Sequence, residues 1–156
     1  HRLGWSTALV LSGVTRVADL PDLTAAPDHV LRDVGGLLDP PGPAVRPATG
    51  AEGAAADRLL GVGEDGERRR LVAVEAERVV GAVAVRRGGT PGLLEGPVVT
   101  DGWRDRLVGT RLVAAACIEA RAAGLARVGA PRAAEAFLGR LGFHPAADGA
   151  SLVRDL

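Results

Sequence analysis

Val98-Val99-Thr100-Asp101-Gly102-Trp103-Arg104-Asp105-Arg106-Leu107-Val108-Gly109 carries the chain from a β-rich run into its longest helical pattern. Upstream, Leu93–Val99 reads as a strand with Pro97 inside it. Proline has no N–H to give to a ladder, so an edge or a bulge is expected there. Downstream, the periodicity predicts a helix from Asp105 to Ala123. Gly109, Val113, Ala116, Cys117 and Ala120 share its apolar face, with Arg111 and Glu119 off that face. Gly124 stands where a helix ends.

Working outward, Leu71–Glu75 and Arg78–Val85 are β-rich runs on either side of Ala76-Glu77, a hairpin signal. Ala44-Val45-Arg46-Pro47-Ala48 reads as a short strand, and Thr49 or Gly50 starts a helix that runs to Leu60. Glu64-Asp65-Gly66-Glu67 reads as a turn, and the basic run Arg68-Arg69-Arg70 as its solvated continuation. After Gly124 come a strand over Leu125–Ala130, Pro131 as a first helical residue, a helix over Arg132–Leu141, and strand character at Phe143 and Ser151–Val153. The order from Ala44 onward is mixed α/β, because three strands follow one another before the long helix.

The N-terminal part has its own punctuation. Ser6-Thr7-Ala8-Leu9-Val10-Leu11-Ser12 reads as a buried strand and Thr15 as the cap of a turn over Arg16–Leu20. Asp28–Val34 reads as an edge strand and Gly35–Leu38 as a last turn. Asp39-Pro40-Pro41-Gly42-Pro43 is a stiff break. The expected division is therefore residues 1–39, a linker over 40–43, and residues 44–156.

Composition narrows the chemistry. All 19 basic residues among the 156 are Arg, and they balance 19 acidic ones. Zero net charge argues against a broad nucleic-acid or anionic-membrane footprint. The longest apolar run, Val79–Val85, is far below the roughly 20 residues of a membrane-spanning helix. One cysteine, Cys117, excludes an intrachain disulfide and a multi-Cys metal site, and no metal ligand set is expected. Lys, Tyr, Asn, Gln and Met are absent, so no Lys base and no Tyr acid exist in the chain. The missing types favour a GC-rich source, and the missing Met predicts that residue 1 lies inside a longer protein.

The second region resembles the GNAT family of N-acetyltransferases. The carriers are Val45-Arg46-Pro47-Ala48, then Val98-Val99-Thr100-Asp101-Gly102-Trp103-Arg104, then Ala120-Arg121-Ala122-Ala123-Gly124. Ala134-Glu135-Ala136-Phe137-Leu138-Gly139-Arg140-Leu141-Gly142-Phe143 is similar to the family's A-x-x-F-Y-x-x-x-G-F signature. The resemblance implies a mixed sheet with flanking helices and a site for acetyl-CoA where a strand meets the long helix. The cofactor-binding positions would be Val98, Val99, Arg104, Arg106, Val108, Gly109 and Thr110. Helix-start N–H groups would receive the pyrophosphate.

Three departures stand against full activity. The loop Arg104-Asp105-Arg106-Leu107-Val108-Gly109 keeps its last glycine, but Leu107 replaces the inner one. Asp105 brings a charge that costs on the order of 2–3 kcal/mol per phosphate charge at roughly 6 Å and an effective dielectric near 20, which Arg104 and Arg106 offset in part. Leu138 stands where the family keeps its Tyr acid, leaving His144, Cys117 or water. Glu95 is the candidate general base. Trp103 is expected to pack rather than touch substrate.

The first region resembles the C-terminal end of HAD-like phosphatases of the nitrophenylphosphatase and glycerol-3-phosphate type. Gly4-Trp5-Ser6-Thr7-Ala8-Leu9-Val10-Leu11-Ser12-Gly13-Val14-Thr15, Asp19-Leu20, Pro27-Asp28-His29-Val30 and Gly36-Leu37-Leu38 carry it. The same order is similar to an actinobacterial, cytoplasmic phosphatase with a GNAT-like tail. His1, Arg2 and Leu3 would end the helix after the metal-binding motif, and Trp5 would pack in the phosphatase remainder. The nucleophile and any magnesium would belong to an upstream HAD domain, the expected partner. The fold class is thus α/β: a GNAT-like mixed sheet with flanking helices, preceded by a C-terminal remnant of a HAD-like Rossmannoid domain. Three functions follow as expectations: a non-catalytic tail on a phosphatase, an active N-acetyltransferase, or a sensor of acyl-CoA or another small molecule. The strand over Ser6–Ser12, stripped of its neighbours, is expected to associate.

Overall fold

The computed structural model describes residues 5–63 and 66–156. The proposed helix end at His1–Leu3 and the Glu64-Asp65 half of the proposed turn lie outside the described residues. Strand β1 (Ala8–Val10) pairs in parallel with β2 (His29–Leu31), forming a small two-stranded sheet. Seven further strands form a mixed sheet: β3 (Ala44–Pro47), β4 (Arg68–Glu75), β5 (Arg78–Arg86), β6 (Gly92–Val99), β7 (Arg127–Pro131), β8 (His144–Pro145) and β9 (Ser151–Asp155). Their order across the sheet is β3-β4-β5-β6-β7-β9-β8, and only β6 and β7 run parallel. The helices are α1 (Ala51–Leu60), α2 (Val108–Ala122) and the single turn α3 (Glu135–Leu138).

Local chemistry explains most of these elements. β4 and β5 alternate or run apolar, with Leu71, Val72, Ala73 and Ala82, Val83, Ala84, Val85 buried. Ala76 and Glu77 take φ of 45° and 62°, the left-handed pair that a two-residue hairpin turn requires. Gly61 and Gly124 terminate α1 and α2. Pro97 does sit in an irregular strand: the β5–β6 register shifts between Ala82 and Ala84, opposite Gly96 and Pro97. Gly96 has φ +94°, and a Cβ there would meet Leu60 Cδ2 at 2.8 Å and the Ala82 carbonyl oxygen at 3.2 Å. Only glycine fits this kink.

Four expectations need correcting. Arg68-Arg69-Arg70 is not a solvated turn but the start of β4. Its charges are taken up by Glu95, Glu119 and Asp57, which lie 27, 50 and 13 residues away. Thr15 does not cap the first turn: the 3-10 turn over Val17–Asp22 starts after Arg16, whose backbone N–H donates to the Asp19 carboxylate at 2.7 Å. α2 begins at Val108 rather than Asp105, because Leu107 is left-handed at φ 58°. Trp5 is 75% exposed rather than packed, since β1 and β2 cover little.

α2 also differs from a one-faced amphipathic helix. Its residues Val108 to Cys117 are all buried, Arg111 included. One side lies on the sheet with Leu71, Val83, Leu94, Val128 and Leu152. The other side carries the N-terminal segment: Leu20 and Val30 bury against Ala114, with Leu9, Leu11, Leu23 and Leu107 around them. Arginines anchor that segment. Arg111 donates to the carbonyls of Pro43 (2.9 Å) and Asp28. Arg121 donates to the carbonyls of Pro21 (2.9 Å) and Leu23 (3.3 Å). Arg154 reaches the Leu141 carbonyl at 2.6 Å, the Asp22 carboxylate at 2.6 Å and the Ala18 carbonyl at 3.4 Å. Thr7 donates from both its N–H and its hydroxyl to Asp28, at 2.7 and 2.8 Å, holding that carboxyl below its ordinary range and tying β1 to β2.

Candidate active site

β6 and β7 are bonded only at Gly92–Val128 and Leu93–Gly129. Beyond that they part, and the gap leads to the N-terminus of α2. Pro97, Val98, Val99, Arg104, Asp105, Leu107, Gly109, Thr110, Phe137, Arg140 and Arg32 line a cleft of about 420 Å³ there. Strand β6 delivers Val98 and Val99, the loop delivers Arg104 and Asp105, α2 delivers Gly109 and Thr110, and α3 delivers Phe137.

The helix start offers donors. The first bond of the helical ladder runs from the Arg111 N–H to the Leu107 carbonyl at 2.9 Å. The N–H groups of Val108, Gly109 and Thr110 precede it and have no intrahelical acceptor. Gly109 keeps the approach open: a Cβ there would lie 3.4 Å from Phe137 Cζ, 3.6 Å from Pro97 Cγ and 3.7 Å from Val99 Cγ2. An anionic group fits this cradle of free N–H groups and bare backbone. Leu107 occupies a conformation that favours glycine, at a cost of about 1 kcal/mol. Its side chain packs beside Leu20 and Val30, which offsets that cost.

Of the expected binding positions, Val98, Val99, Arg104, Gly109 and Thr110 come together in the cleft, while Val108 is buried in the core beneath it. Arg104 pairs with Asp101 at 3.2 Å on the exposed loop. Arg106 stands over Trp103, 5.1 Å from the ring centroid, and does not line this cleft. Glu95 lies on β6 outside the cleft lining. Both its oxygens are engaged by Arg68, at 2.5 Å from Nε and 3.2 Å from Nη2, in a half-buried bidentate pair.

The C-terminal signature places its side chains differently from a one-to-one reading. The helix expected over Arg132–Leu141 is broken into 3-10 turn, single α turn and 3-10 turn. Leu138 is wholly buried with Leu141 and Phe143. Phe137, which the sequence reading passed over, is the ring that faces the cleft. Cys117 is buried in the core, where desolvation pushes its thiol up to about 12. It does not line the cleft. His144 sits on β8 and is not among the cleft residues. Leu138→Tyr should therefore overpack the core by about 1–3 kcal/mol and lower the melting temperature, whereas Phe137→Tyr should leave it within a degree or two. Thermal unfolding of the two variants checks this.

A family model described as HAD-hydrolase-like matches residues 1–37. No curated protein sequence matches the chain. Solved structures match at the level of the fold. A GNAT family N-acetyltransferase, YhbS from Escherichia coli in complex with CoA, is 22% identical with a TM-score of 0.64, over 75% of this chain and 83% of that one. Rv2747 from Mycobacterium tuberculosis, in complex with CoA and NLQ, is 17% identical with a TM-score of 0.60, over 73% and 99%. The GNAT domain of PAT from S. lividans is 18% identical with a TM-score of 0.58, over 73% and 90%. The chain has the GNAT acetyltransferase fold, preceded by a short HAD-like match. No helix among the described residues is long and apolar enough to cross a membrane.

Proposed function

We propose that residues 44–156 bind acetyl-CoA in the cleft between β6 and β7, and that this domain serves a HAD-type phosphatase as an acyl-CoA-responsive part rather than as an efficient acetyltransferase. In this reading the HAD-like segment continues an upstream phosphatase domain, which would hold the magnesium and the nucleophile. The observation that carries the cofactor reading is the cradle at Gly109, where strand splay, three free N–H groups and the missing Cβ coincide. Acetyl-CoA would bring an activated thioester to Val98 and Val99, with its pyrophosphate at Val108–Thr110 and Arg104 beside it.

What argues for weak chemistry is the lining. Its charged groups are Arg32, Arg104, Asp105 and Arg140, and among the described residues no His or Cys lines it. Isothermal titration with acetyl-CoA should give saturable binding, while thiol release with amine acceptors stays below about 0.1 per second, under the usual enzyme range. No heat at millimolar CoA overturns the cofactor reading.

Acetyl transfer itself is the second reading, and the fold favours it equally. Attack by an amine forms a C–N bond and breaks the C–S bond. The amine gives up a proton and the thiolate takes one. Glu95 is the proposed base, acting through water once Arg68 loosens its hold, and water would supply the acid. Turnover above the stated rate would select this reading. Phe137→Tyr should then raise it by about 10-fold, since general acids contribute on the order of 10²–10⁴ when well placed.

A further inference from the structure

The cofactor cleft has a wall that the mixed sheet does not supply. Arg32, one residue past β2, lines it together with Arg104 and Arg140. Arg32 also lines a second cleft of about 630 Å³, bounded by residues 29–42 on one side and by Asp105, Arg106, Leu107 and Arg111 on the other. The two clefts share Arg32, Asp105 and Leu107, so they adjoin at these residues. The larger has the size of an ordinary small-ligand site. Val30, Leu31, Leu37, Pro40 and Pro41 give it apolar walls.

Arg32 is exposed, and its Nη2 donates to the Asp105 carbonyl at 3.2 Å. Among the described residues its other N–H donors carry no hydrogen bond. A guanidinium has five such donors in a planar fork suited to phosphate. One bond fixes this fork beside the anion cradle and leaves the rest available. Its charge is also opposite to that of Asp105, whose carbonyl it holds.

We propose that Arg32 ligates a phosphate of CoA and that the larger cleft takes the adenosine end, so that the HAD-like segment completes the cofactor site. This rests on the cofactor reading above. CoA carries phosphate in two places, the pyrophosphate and the 3′-phosphate, and the fork suits either.

The test is calorimetric titration of the full chain with CoA, dephospho-CoA and acetyl-pantetheine, using the wild type, Arg32→Gln and Arg32→Lys, with thermal unfolding of each. Arg32→Gln should weaken CoA about 10-fold, the scale of a charge-assisted hydrogen bond, and leave acetyl-pantetheine unchanged. Arg32→Lys should fall between. A loss seen with CoA but not with dephospho-CoA assigns the 3′-phosphate, and an equal loss with both assigns the pyrophosphate. Unchanged CoA affinity in Arg32→Gln, or an equal loss for acetyl-pantetheine, overturns the inference while the cofactor reading stands. A wild type that binds no CoA removes the cofactor reading itself.

Discussion

Gly109→Glu is expected to weaken CoA binding by about 100-fold or more while the protein stays folded. The new side chain starts 3.4–3.7 Å from Phe137, Pro97 and Val99 and has nowhere to go but into the cleft. There its carboxylate faces the phosphates. At roughly 6 Å and an effective dielectric near 20, one such pair costs about 3 kcal/mol, and every 1.4 kcal/mol is about tenfold in affinity. The helix does not suffer, because a carboxylate in the first turn favours it by about 0.3–1 kcal/mol. Gly109→Ala is the companion variant. Its Cβ sits at ordinary contact distance and adds up to about 1 kcal/mol of helix propensity, so it should melt slightly higher and bind only a few-fold more weakly. Calorimetric titration of both variants decides the matter. Wild-type affinity in Gly109→Glu would mean that CoA binds elsewhere.

Arg111→Met should give the largest loss of stability. Burial disfavours the Arg111 charge, yet the buried carbonyl of Pro43 and the half-buried carbonyl of Asp28 depend on its amino groups. Methionine keeps the bulk of the stem and removes both donors. An acceptor left unpaired costs about 1–3 kcal/mol, so a total near 2–4 kcal/mol is expected. For a chain of this size that lowers the melting temperature by about 5–12 °C. Amide hydrogen exchange locates the effect: β2 should lose protection before the seven-stranded sheet does. A melting temperature within about 2 °C of wild type would show that the N-terminal segment is held by Leu20 and Val30 without Arg111.

These two positions differ in how far the sequence revealed them. Gly109 was visible through the resemblance to the GNAT loop, whose last glycine it keeps. The hairpin at Ala76-Glu77 and the irregularity at Pro97 were equally visible, since each rests on local backbone chemistry. Arg111 was not. Its spacing put it off the apolar face, and only the N-terminal segment lying over α2 turns that position inward. The Arg68-Arg69-Arg70 run misled for the same reason: its carboxylate partners are remote in sequence, so the run looked solvated. Leu107 shifted the start of α2 because its packing beside Leu20 sustains a backbone conformation that its side chain opposes. At α3, Phe137 faces the cleft while the expected position, Leu138, turns into the core. The resemblance thus pointed to Gly109 and local signals to the turn and the kink, while long-range contacts decided what packs around them.

Arg121 and Arg154 also set the order in which the molecule can be completed. Their bonds to residues 18–23 close loops of 98 to 136 residues. Contacts of such separation form late, because loop closure must precede them. On the ribosome, residues 18–23 emerge well before Arg154. Leu20, wholly buried in the finished protein, packs on Val30 and Ala114, so it can settle once α2 is in place and ahead of the bonds from Arg154. A segment made before the sheet is thus finally fastened after it, and the same segment carries Arg32 to the cleft at the start of α2.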